Sequence, residues 1–161
     1  MRLFKAIFAV SICLNVLFLA FSYIRYDSNE EALNHAATMV MHDFIELESA
    51  IDYQIKMNWV DESVILEKIE DILENLHMIE VYGSQSDLID KQSNKELIAI
   101  AHVLSRYPEY TGFPNAQLTE KERKAFIQLR DKLRRAGLGM NMSFTGGWDN
   151  FLVFMKRIIE E

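Results

Sequence analysis

The chain has 161 residues, 50% of them hydrophobic, with 24 acidic against 17 basic side chains and a formal net charge of −7. One cysteine excludes a disulfide framework, and the acidic balance argues against a nucleic-acid binder. Two prolines and six glycines leave long stretches free to form helix.

The first predicted element is apolar. From Ala6 to Ile24 no charged residue occurs, while Arg2 and Lys5 precede the run and Asp27, Glu30 and Glu31 follow it. A helix of that length measures about 28 Å, close to the hydrocarbon thickness of a bilayer. Residues 1–25 therefore read as a transmembrane signal anchor, with residues 6–24 in the membrane. The basic start and acidic far side keep the N-terminus cytoplasmic and put the rest outside. The competing reading is a cleaved signal peptide, with Ala20, Phe21 and Ser22 as a small-x-small site and secretion after Ser22. Tyr23 and Tyr26 suit an interfacial position, and Asn15 is a polar group that could bond across a helix pair. Cys13 lies inside the run without a lipoprotein pattern around it, so the exported part carries no thiol.

Residues 26–161 are expected to form one extracytoplasmic helical domain. Ser28, Asn29, Glu30 and Glu31 read as a capping box opening a long helix, whose apolar stripe is Leu33, Ala37, Val40, Phe44, Leu47 and Ile51. Asn58 to Asp61 should break it. A second helix from Asp61 or Ser63 carries Ile65, Ile69, Ile72, Leu76 and Ile79, stops at Gly83, and pairs with the first as an antiparallel hairpin. A second box at Ser93 to Glu96 opens a shorter helix with Leu97, Ile100, Ala101 and Leu104. Residues 108–115 hold both prolines and form a loop, which Tyr107, Tyr110 and Phe113 tack to the core. Thr119 to Glu122 form a third box, followed by Phe126, Leu129 and Leu133, with Gly137 as the stop. After a loop at 137–147, the last helix buries Trp148, Phe151, Leu152, Met155 and Ile159. The expected fold is all-α: a membrane helix, then about five helices made of the long hairpin and three shorter elements.

Charge divides the domain. Asp27 to Asp90 holds sixteen acidic and two basic residues, a charge of −14, whereas Lys91 to Glu161 holds twelve basic and eight acidic, a charge of +4. Lys121, Arg123, Lys124, Arg130, Lys132, Arg134 and Arg135 fall on one helix, and docking beside the acidic hairpin is the favoured reading. The other readings are a basic face for anionic lipid headgroups or cell-wall polymers and a simple solvated face.

Chemistry-bearing patterns are sparse. Glu74 and His77 have dimetal-bundle spacing without a second copy; His35, His42 and Glu46 share a helix face; Met140, Met142 and Met155 are soft ligands better read as core. Asp61 and Glu62 form an acidic pair common in a first helical turn. Gly137 and Gly139 suit a helix stop, and Thr145 to Trp148 a turn and N-cap rather than an anion site. Asn141, Met142 and Ser143 spell a glycosylation sequon relevant only in a eukaryotic secretory route. No catalytic site, metal or cofactor is expected. The function expected is that of a membrane-tethered accessory or interaction protein, engaging an envelope protein or itself, with no nucleic acid. The alternative is a ligand-binding sensor module acting through a membrane partner, which resembles in outline the exported helical bundles of chemoreceptors and sensor kinases.

Overall fold

The first 82 residues contain neither glycine nor proline, so neither of the two strongest helix breakers acts there. The computed structural model of the chain describes residues 2–86, 88–110, 112, 117–141, 143 and 145–160. All regular structure among them is helical, in five helices: α1 (Arg2–Lys56), α2 (Ser63–Gln85), α3 (Lys91–Leu104), α4 (Glu120–Ala136) and α5 (Trp148–Glu160). The expectation of a membrane helix followed by five more is corrected in one respect. The apolar run and the first domain helix are a single element, because Ser28 lies inside α1 and caps nothing. A serine caps only where the chain before it leaves the helix, and the residues from Arg25 to Asn29 include no breaker.

The chain separates into two compact units, Met1–Ala32 and Leu33–Glu161. In the first, large apolar side chains from Phe4 to Tyr26 stand exposed, Phe18 at 68% and Leu19 at 66% among them. Asn15 donates its amide to the Ser11 carbonyl at 2.8 Å, within its own helix. α1 is long and apolar enough to cross a membrane.

In the second unit, the stripe from Leu33 to Ile51 is buried along its whole length, as are Ile65, Ile69, Ile72, Leu76 and Ile79 of α2. Lys68 to Glu46 at 2.7 Å and Asn75 to Asp43 at 2.9 Å fix the two helices as an antiparallel pair. Their connection turns on two consecutive residues with positive φ, Asn58 at 57° and Trp59 at 62°. The Trp59 amide donates to the Gln54 carbonyl at 2.7 Å, and the Asp61 amide to the Gln54 side chain at 3.0 Å. Gly83 does not stop α2, which continues to Gln85. It is buried, and the Ile89 side chain occupies the space a β-carbon would need, while the Leu88 and Ile89 amides donate to its carbonyl. Glycine is there so that the chain can fold back over the helix end.

α3 also begins earlier than its expected box. Asp90 is the N-cap, accepting from the Ser93 amide at 2.6 Å, whereas Glu96 accepts from Gln92 inside the helix. The box at Thr119 forms in full, and Gly137 ends α4 in the left-handed region at φ 99°. Leu97, Ile100, Leu104, Phe126, Leu129 and Leu133 are buried as expected. On α5 the buried set is Phe151, Met155 and Ile158, with Trp148, Leu152 and Ile159 packed at its edge. Tyr107 and Tyr110 pack against the core; Phe113 lies outside the described residues.

Candidate functional site

Helical periodicity sorts five of the seven basic residues of α4 onto two faces. Arg123, Arg130 and Arg134 fall at i, i+7 and i+11 and share one side; Lys121, Ala125 and Lys132, at i, i+4 and i+11, share the opposite side.

The arginine face docks on the acidic hairpin. Arg134 Nε donates to Glu48 at 2.5 Å and its Nη2 to Asp52 at 2.7 Å, while Arg130 Nη1 reaches Asp52 at 3.3 Å. Arg123 Nε donates to Glu62 at 2.5 Å and lies over the Trp59 ring at 5.7 Å. Both glutamates are buried, at 1% and 5% exposure. Each has a second donor from the backbone of a loop: the Met140 amide to Glu48 at 3.0 Å and the Leu118 amide to Glu62 at 2.6 Å. A buried carboxylate needs this number of donors to offset its lost hydration. Hydrogen bonding from Lys56, with Arg134 adding to it, holds the Asp52 carboxyl below its ordinary value, and the Glu62 bond raises the Arg123 guanidinium. This face locks α4 and its flanking loops to the hairpin.

The lysine face borders a cleft. About 560 Å³ in volume, it is walled on one side by Val103, Arg106, Tyr107 and Pro108 and on the other by Thr119, Lys121, Glu122, Ala125 and Lys132. The Tyr107 ring packs, tilted by 36°, at 4.9 Å from the buried Phe126 ring, and burial raises its hydroxyl pKa. Glu122 is engaged in the capping box, where its carboxylate accepts from the Thr119 amide and hydroxyl, both at 2.7 Å. Those bonds, the hydroxyl's first, hold its pKa down. Among the described residues no acidic side chain forms an ion pair with Arg106, Lys121 or Lys132. The basic residues of α4 read as one group in the sequence; splitting them by helical face would single out Lys121 and Lys132. Arg106 and Tyr107 carry no such signal, because the loop path after α3 places them.

The other sequence candidates are dispersed. Glu74 and His77 are exposed, with His77 Nδ1 3.6 Å from Glu80. His35, His42 and Glu46 are exposed on α1, and Glu46 is held by Lys68. Among the described residues no three His, Cys, Asp or Glu side chains are grouped as a metal would require. Met155 is in the core and Met140 is 55% exposed; Met142, and with it the centre of the sequon, lies outside the described residues. Asp61 accepts from the Ser63 hydroxyl at 2.6 Å, and its neighbour Glu62 is the buried anchor described above, not a solvated first-turn residue. The amides at the start of α5 are taken by α1 side chains: Gly147 donates to the Thr38 hydroxyl at 2.9 Å and Trp148 to the Asn34 side-chain oxygen at 2.8 Å. No known protein family, curated protein or solved structure matches the chain.

Proposed function

We propose that this chain is a membrane-tethered helical accessory module. Residues 6–24 span the lipid as an uncleaved anchor with the N-terminus cytoplasmic, and residues 26–161 work on the outer side by engaging an envelope protein or a second copy. The observation that carries this reading is the exposure of the apolar side chains between Phe4 and Tyr26. Water penalises such a surface by about 25 cal/mol per Å² of apolar area, and lipid removes the penalty.

The partner-binding side of the reading draws on the hairpin. The register set by the Asp43–Asn75 and Glu46–Lys68 bonds places Met39 opposite Met78 and Ala36 opposite Tyr82; Met39, Met78 and Tyr82 are 48%, 48% and 62% exposed. Methionine and tyrosine together suit an adaptable protein contact.

The test is fractionation of cells making the full chain with a C-terminal reporter. Retention in the pellet after carbonate, an intact mass, and a reporter active only outside the cytoplasm are expected. Phe18→Arg together with Leu14→Arg should release the protein from the membrane fraction, since each central charge costs about 2.5–3.5 kcal/mol of insertion. Full carbonate extraction of the unaltered chain, or a reporter active only inside, defeats the proposal. A second reading, a ligand-binding module signalling through a membrane partner, is favoured by one observation: the cleft beside α4 has the size of a small-molecule site.

A further inference from the structure

Each acidic residue of α4 is already engaged. Glu120 pairs with Arg123 at 3.2 Å, Glu122 with Thr119, and Asp131 with Arg130 at 2.7 Å. The cleft wall is thus left with three cations, Arg106, Lys121 and Lys132, against one carboxylate that is itself hydrogen-bonded. The pocket lies in the half of the chain, Lys91 to Glu161, that carries a charge of +4 within a chain of net charge −7. Lys121 and Lys132 are separated by eleven residues, about 16 Å along the helix axis, so the charges sit towards two ends of the cleft and do not converge on one point. Between them Ala125 keeps the floor low, and Tyr107 and Pro108 give the facing wall an apolar surface. Aromatic and proline faces pack against the C–H faces of sugar rings, and hydroxyls find the Thr119 side chain and the lysines.

We propose that this cleft binds an anionic saccharide of about disaccharide size, its phosphate or carboxylate groups held by Arg106, Lys121 and Lys132 and its ring resting on Tyr107 and Pro108. The inference rests on the ligand-binding reading and is independent of the tether. The same chemistry is offered by a free sugar phosphate and by the repeating unit of an anionic surface polymer.

The test is calorimetric titration of the full chain in a neutral detergent with trehalose 6-phosphate, digalacturonate, glucosylated poly(glycerol phosphate), and uncharged trehalose. Saturable binding is expected for at least one anion and not for trehalose, weakening with added salt. Lys121→Gln with Lys132→Gln should reduce affinity by about tenfold or more, while Lys124→Gln, exposed and outside the cleft, should leave it unchanged. An unaltered thermal midpoint of the double variant separates lost binding from lost fold; Arg106→Gln repeats the test if that variant does not fold. Binding of the small anions supports the site with a free ligand, and binding of the polymer alone supports it with a polymeric one. The proposal is overturned if no anion saturates, if trehalose binds equally, if K124Q weakens binding as much as the double variant, or if the protein binds only phosphatidylglycerol vesicles. Carbonate extraction does not depend on any of these outcomes, so a failed titration leaves the tether reading standing.

Discussion

Glu48 is where the acidic hairpin, α4 and the loop after it meet, and its burial makes its partners count. Removing Arg134 leaves the carboxylate, among the described residues, with the Met140 amide as its donor. Arg134→Ala should destabilise the fold by about 1–3 kcal/mol in urea melts of the detergent-solubilised chain, the cost of an under-satisfied buried polar group. Gly137 is a second sensitive position. Its φ of 99° lies in the region that a side chain resists, and a β-carbon there would approach the Phe154 ring to 2.9 Å. Gly137→Ala should therefore cost at least the left-handed penalty of about 1–2 kcal/mol, read as a lower urea midpoint.

At the scale of elements, three capping-box patterns occur in the sequence and one, at Thr119, is built as a box. Thr119→Ala should lower stability by about 1 kcal/mol. Ser28→Ala should do the reverse by a few tenths of a kcal/mol, because an exposed serine inside α1 is replaced by a better helix former; far-UV dichroism during urea titration would check both. The contrast shows what a sequence can reveal. Apolar periodicity identifies most of the buried stripes of α1 to α4, passing over Met41, Ile45, Leu66 and Ala136 and including the only partly buried Ala101, since apolar burial is the main driving force of folding and a stripe repeats it every turn. Helix ends are less legible. A cap depends on where the preceding chain goes, and Ser28, Ser93 and Gly83 each mislead for that reason: continuing helix before Ser28, an earlier cap at Asp90, and a chain folding back over Gly83. The arginine-to-hairpin pairing is visible in the charge asymmetry, but its two anchors are not. Glu48 and Glu62 become buried only because amides from distant loops reach them, and no local pattern reports that. The cleft is invisible for a related reason, since a third of its wall, Arg106, Tyr107 and Pro108, comes from the turn after α3.

For the whole molecule, the paired carboxylates set the response to acid. Asp52, held down by Lys56 and Arg134, Asp90, by the Ser93 amide, and Glu122, by Thr119, all ionise more readily folded than unfolded. The stability they contribute is complete above the ordinary values of 3.8 and 4.5 and is lost as pH falls through the lower folded ones. Asp43 acts in the opposite sense, because burial, only partly offset by the Asn75 bond, raises its pKa, so it favours the folded state on the acid side. With three groups against one, the urea midpoint should be flat between about pH 5 and 7 and fall below about pH 4. A midpoint that rose on acidification would contradict these ion-pair and hydrogen-bond assignments.

The caps that α1 supplies to the start of α5 also constrain how the protein is made. Asn34 and Thr38 receive their donors from residues 114 and 109 positions later in the chain, so they stay unanswered until nearly all of the polypeptide has been synthesised. Contacts of such long sequence separation close slowly. The docking of α5 on α1 therefore completes late, and a chain truncated before Gly146, which lacks both donors, should be cleaved by added protease faster than the complete chain.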